Sequence, residues 1–204
     1  MLTKGSLFWL LAYFSVLVWS AIAPKDLFTW FLEVVPALIG LVLLVLTRKS
    51  FPLTTLLYIL LLLHCIILMV GGHYTYAEVP LFEHIKHWLD LERNNYDKLA
   101  YFIQGFVPAI LAREILIRKQ VVSSNAWRNL FIVSICLAFS ALYELIEWQV
   151  AVATGESAEA FLGTQGYMWD TQSDMALALI GALCALLTLS HWHNRQLIHC
   201  HTHT

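Results

Sequence analysis

The sequence predicts an all-α, polytopic membrane protein with six transmembrane helices and a short helix on the outer surface. Of its 204 residues, 59% are hydrophobic and only 13% are charged, about half the charged fraction of a soluble domain. Stretches free of Asp, Glu, Lys and Arg run over 5–24, 50–77 and 175–194, each long enough, as a helix, to cross a hydrocarbon core of about 30 Å. Three further apolar runs complete the count: 27–47 holds only Glu33, 99–112 is closed by Arg113, and 129–143 is extended by the acids after it.

Taken in order, the spans are placed near 6–23, 28–47, 53–71, 97–118, 128–152 and 171–191. The first begins with little basic character, and only Ala21-Ile22-Ala23 resembles a cleavage site, so it reads as a retained anchor. Pro36 and Pro108 fall inside spans, where they free carbonyls and favour kinks. Between the third and fourth spans, Leu81, Phe82, Ile85, Trp88, Leu89 and Leu91 alternate with Glu83, His84, Lys86, His87, Asp90 and Glu92. That spacing suits a short helix lying on the membrane surface. Cys65, Cys136 and Cys184 sit in spans and Cys200 lies near the C-terminus, so no disulfide framework is implied.

Six crossings place both termini on one side. Lys4, Arg48, Lys49, Arg113, Arg118, Lys119, Arg128 and Arg195 share that side, against Lys25, Lys86, Arg93 and Lys98 on the other. The positive-inside rule makes both termini cytoplasmic. All of the acids except Glu114 then occupy the outer half. Glu114, between Arg113 and Arg118, reads as an ordinary solvated or paired group at a helix end. No repeat or flexible linker divides the chain, so residues 1–190 form a single six-helix domain. Residues 191–204 form a His-rich cytoplasmic tail containing His191, His193, His199, His201 and His203, read as a disordered polar end.

The placement of acids is the chemically informative feature. An ionisable group at bilayer depth costs roughly 2.5–3.5 kcal/mol even on a lenient insertion scale. Glu144 and Glu147 are spaced i, i+3 on the fifth span, and Asp170 and Asp174 i, i+4 at the opening of the sixth, so each pair shares one helical face. With the fifth span ending near Thr154, Glu144 lies roughly 15 Å and Glu147 roughly 10 Å below that end. Asp97 opens the fourth span and His73 closes the third, after Gly71 and Gly72, which permit close packing or a tight turn. Tyr74, Tyr76, Tyr96 and Trp148 suit an aromatic belt, and Gln104 lies two turns below Asp97.

Glu144, Glu147, Asp170, Asp174, Asp97 and His73 together form an oxygen- and nitrogen-rich ligand set suited to a divalent metal ion. Lys98 compensates one acid, and the rest must be protonated, wet or metal-bound. For catalysis the candidates are Glu144, Asp174 and His73. Neither H-E-x-x-H, paired Cys nor a P-loop occurs.

The segments His73-Tyr74-Thr75-Tyr76, Tyr96-Asp97-Lys98, Tyr143-Glu144-Leu145-Ile146-Glu147-Trp148 and Gly166-Tyr167-Met168-Trp169-Asp170-Thr171-Gln172-Ser173-Asp174-Met175 resemble the YjdF family of bacterial inner-membrane proteins. The resemblance covers nearly the whole chain and implies a multi-pass inner-membrane location without assigning chemistry. A fainter similarity is to VanZ-like membrane proteins, whose pattern Glu147, Gln149, Asp170, Asp174 and Gly181 partly fill. Ala178 stands where that family has Asn, and no Arg precedes Asp170.

Three classes of function follow. The first is an outward-facing intramembrane site for a divalent ion or polar lipid head group, extending to metal-dependent hydrolysis of a lipid-linked ester or phosphate. The second is proton- or cation-coupled transport, which the apolar run 175–189 provides for poorly. The third is a structural or partner-binding role in which the acids stabilise helix contacts. The partner common to all is the lipid bilayer; nothing in the charge pattern points to nucleic acid.

Overall fold

The computed structural model describes residues 4–155, 159–162 and 164–201. The described residues are helical throughout their ordered elements: α1 Lys4–Ala21, α2 Leu27–Thr47, α3 Thr55–His73, α4 Pro80–Leu89, α5 Tyr96–Arg118, α6 Asn125–Thr154, α7 Glu159–Leu162 and α8 Asp170–His201. Six of them, α1, α2, α3, α5, α6 and α8, are long and apolar enough to cross a membrane. The all-α reading and each predicted span are therefore present. One boundary differs. α8 continues through His201 instead of ending near 191, because His193 and Leu197, one turn apart, are both buried and hold the helix to its neighbours. His203 lies outside the described residues.

The chain sorts into two compact units, each assembled from three separate stretches: 1–46, 62–100 and 147–167 in the first, 47–61, 101–146 and 168–204 in the second.

In the first unit, Tyr13, Val34, Ala37, Cys65 and Met69 form the core of α1, α2 and α3. The polar groups buried there find carbonyls or hydroxyls: Tyr13 donates to the Ala37 carbonyl at 2.9 Å and the Trp30 indole to Ser20 Oγ at 3.1 Å. Asp26 starts α2 by accepting the Thr29 amide at 2.6 Å. Gly72 allows α3 to approach α2 closely; a Cβ there would meet the Glu33 Cβ at 3.1 Å. Pro80 begins α4, where its missing N–H costs nothing, and Asp90 ends it in the left-handed conformation with φ 51°. Fully buried Asn94 ties α4 to the start of α5, donating to the Val79 carbonyl and capping the Tyr96 amide, while Gln165 clamps its backbone from both sides.

The expected surface helix is α4, and its amphipathy is turned outward. Leu81, Trp88 and Leu89 are exposed. Glu83 instead pairs with Lys86 at 3.2 Å and accepts from Asn94 at 3.4 Å. Its bond to the Lys86 ammonium holds the Glu83 carboxyl below the ordinary carboxylate range, against the opposing effect of burial. The contribution is present above the unfolded value and is lost as pH falls through the folded one. NMR titration should find Glu83 titrating below a free glutamate, and Lys86→Met should bring it back up.

In the second unit, Leu57, Ala109, Ile110, Leu116, Ile132, Cys136, Ala182 and Ala185 form one core. α5 and α8 come together on small residues. A Cβ on Gly105 would overlap the Ala178 carbonyl, and one on Gly181 would overlap that of Phe102. Such close backbone approach supplies the van der Waals contact that holds helices together where lipid removes the hydrophobic drive. Gly105→Val or Gly181→Val should therefore lower stability by about 1–3 kcal/mol or more, read as an earlier thermal transition in detergent, whereas Gly40→Ala, with open space around it, should leave that transition in place.

Candidate functional site

α8 starts directly after a turn in which Gln165 and Gly166 both have positive φ, 49° and 80°. Its first turn is fastened by Ser173, whose hydroxyl donates to the Asp170 carbonyl at 2.8 Å and whose amide reaches the Trp169 carbonyl at 3.0 Å. Asp170 and Asp174, one turn apart, are both buried, Asp174 at only 2% exposure. Each offers a carboxylate oxygen within 4.8 Å of the other's. At that distance two ionised carboxylates repel by on the order of 3 kcal/mol at an effective dielectric of about 20. A cation between them or a retained proton relieves that repulsion. Glu144, in the same unit, is buried on α6, and Tyr143 beside it packs edge-on against Tyr101 of α5, ring centroids 6.4 Å apart. This unit thus buries three acids towards the chain-end of α6 and the start of α8.

The remaining predicted residues belong to the first unit. Asp97 is buried at the start of α5 in an ion pair with Arg93, and Lys98 approaches it at 3.4 Å. Lys98 was the expected compensating cation; Arg93, one turn earlier, is a second. Both cations lie over the Tyr167 ring, 5.6 Å from its centroid. His73 places Nδ1 3.0 Å from the Ser20 carbonyl and packs against Trp19 and Tyr74. A carbonyl can only accept, so Nδ1 carries a proton and Nε2 is the ring atom left to serve as a ligand. Glu147 is buried on α6, one turn beyond Glu144.

At the other end of α8, the second unit holds a buried polar cluster that sequence reasoning missed. Glu114 is fully buried and ion-paired with Arg118, the paired one of the two arrangements expected for it. It accepts from the Thr54 amide at 3.1 Å, the Thr54 hydroxyl at 2.8 Å, Arg118 at 2.8 Å and His193 Nε2 at 3.0 Å. Arg113 turns away from it to His193 Nδ1 at 2.8 Å and Asn194 at 2.6 Å. Because a guanidinium only donates, Nδ1 of His193 accepts; the imidazole is neutral and its Nε2–H points at Glu114. Gln196 completes the arrangement by accepting the Leu56 amide at the start of α3. The available signal was the recurrence of adjacent polar pairs, Arg113-Glu114 and His193-Asn194, where apolar spans end. His193→Leu removes a link between two charged groups and should cost about 3 kcal/mol, measured as a lower denaturation midpoint, while His191→Leu, on the exposed side, should leave it unchanged.

A family model described as "Predicted membrane protein (DUF2238)" matches residues 5–195. The chain is also similar to the "Inner membrane protein YjdF" of Escherichia coli (strain K12), with 51% identity over 182 residues, covering 89% of this chain and 87% of that protein. No solved structure matches.

Proposed function

The chain belongs to the DUF2238 family of predicted membrane proteins and is a multi-pass inner-membrane protein; on that premise we propose that it carries an acidic intramembrane site for a divalent ion or the polar head group of a lipid. The ligands of first rank are Asp170, Asp174 and Glu144. Glu147, Asp97 and His73 are the assisting candidates. The observation that carries this reading is the approach of the Asp170 and Asp174 carboxylates, both buried, to within 4.8 Å. Like charges so placed in a low dielectric are stabilised by a bound cation or by a cationic group of a ligand.

The bias of Lys and Arg among the loops supports cytoplasmic termini, and in that orientation the site opens to the periplasmic leaflet. In an enzyme of this design the divalent ion would activate water for attack on a lipid-linked ester or phosphate. The residues' own part would be to hold the ion and to keep lipid from the reacting centre, with Glu144, Asp174 or His73 placed to accept the proton of that water.

Elemental analysis of the protein purified in mild detergent is expected to find about one divalent ion per chain, lost in Asp174→Asn and Glu144→Gln while both variants remain folded. An unchanged metal content in both variants, or wild-type protein that neither carries nor takes up such an ion and brings no lipid, contradicts the proposal. Fusion of a fluorescent reporter to the C-terminus should give a cytoplasmic signal, and a periplasmic one would reverse the orientation.

A further inference from the structure

In the second unit, the end of α5 and the start of α6 carry far more positive charge than their surroundings balance. The acid described there is Glu114, and Arg118 and His193 already pair with it. The turn that follows α2 is closed by the Phe51 amide, which donates to the Thr47 carbonyl at 2.7 Å, and it carries Arg48 and Lys49, both exposed. Two cations from the end of α5 come onto the Phe51 ring: the Arg118 guanidinium at 3.8 Å and Lys119 Nζ at 5.5 Å from its centroid. Arg118 is committed to Glu114 and to the Pro52 carbonyl. Among the described residues, no carboxylate pairs with Arg48, Lys49 or Lys119.

Arg128, in the first turn of α6, adds a fourth such cation. Its guanidinium donates to the neutral Asn125 side chain, while its Nε is buried and has no acceptor among the described residues. Arg113 stands close enough for the two charges to act on each other, and it too bonds only neutral acceptors, His193 and Asn194. Such a group is stabilised by an anion. The residues beside these cations are apolar and uncovered: Ile115, one turn before Lys119, and Trp127 and Phe131, on either side of Arg128, are all exposed. On helices that cross a membrane, exposed apolar side chains meet acyl chains, and cations next to them stand at the level of the head groups.

We propose that this end of the second unit binds anionic phospholipid head groups, with Lys119 and Arg128 as the principal contacts and Arg48 and Lys49 adding charge from the turn beside Phe51. Arg128 offers a planar fork that suits a phosphodiester, and Lys119 a compact charge. A leaflet presents its head groups side by side, so the four cations need not converge on one phosphate. Ile115 and Trp127 give the acyl chains and the glycerol level a surface to lie against, which a free phosphate or an acidic soluble partner would leave unused. This surface is separate from the acidic site, since Arg128 and Glu144 lie about 24 Å apart along α6.

The test follows melting of the purified full-length protein in a neutral detergent on adding phosphatidylglycerol or phosphatidylcholine, with bound lipid counted by native mass spectrometry. Phosphatidylglycerol is expected to raise the transition and to remain bound, and phosphatidylcholine to do neither. Combining Arg48→Gln, Lys49→Gln and Lys119→Gln should weaken phosphatidylglycerol binding roughly a hundredfold, about fivefold for each cation, and leave melting without lipid at the wild-type value. Arg128→Gln should cost about fivefold, with Arg128→Lys retaining affinity, whereas Lys25→Gln combined with Lys86→Gln, on the other set of loops, should change nothing. An equal response to the two lipids, an unchanged affinity in either the triple variant or Arg128→Gln, or the same shift produced by inorganic phosphate overturns the proposal. A triple variant that melts lower than wild type without lipid also overturns it, since those cations then serve the fold.

Discussion

A bilayer offers no water to a charge or a backbone amide, and the way each buried polar group of this chain meets that condition separates its structural chemistry from its candidate functional chemistry. Glu114 meets it completely. Four donors from Thr54, Arg118 and His193 converge on one carboxylate, and Arg113 fixes the tautomer of the histidine that completes the set. A buried acid so surrounded by donors and cations has no ligand to seek. Its consequence is mechanical: the start of α3 and the ends of α5 and α8 are tied at one point.

Asp170 and Asp174 meet the same condition as a pair. They stand on successive turns of one helix, buried, with oxygens of like charge brought near each other. α8 therefore carries at one end an acid held by four donors and at the other two buried carboxylates within 4.8 Å of each other. The stretch between them is Ala178, Ala182 and Ala185, all fully buried, packed so closely on α5 at Gly105 and Gly181 that no larger residue fits at either glycine. This apolar, close-packed middle gives a cation no polar steps inward from Asp174 along α8, which weighs for a binding site over a transport path.

Much of the fold was legible because it depends on one-dimensional quantities. Apolar length gives spans, and the alternation over residues 81–92 gives α4. The buried pairs at i, i+3 and i, i+4 were readable for the same reason, since helical spacing alone puts them on a face. What escaped was whatever depends on partners distant in sequence. His193 reads as one of several histidines in a polar end until Glu114, 79 residues away, is seen against it. Arg93 looks like a loop cation until α5 is known to begin at Tyr96 and so to place Asp97 one turn on. Gly105 carries no signal in an apolar run, and only the Ala178 carbonyl gives it meaning.

The central claim is that the acids at the start of α8 hold a cation. An anomalous-difference map from crystals of the intact protein soaked in Mn²⁺ addresses it most directly. The account predicts a peak within ligand distance of the Asp170 and Asp174 carboxylates. A map with no peak there, or with Mn²⁺ confined to the histidines of the C-terminal segment, would contradict it.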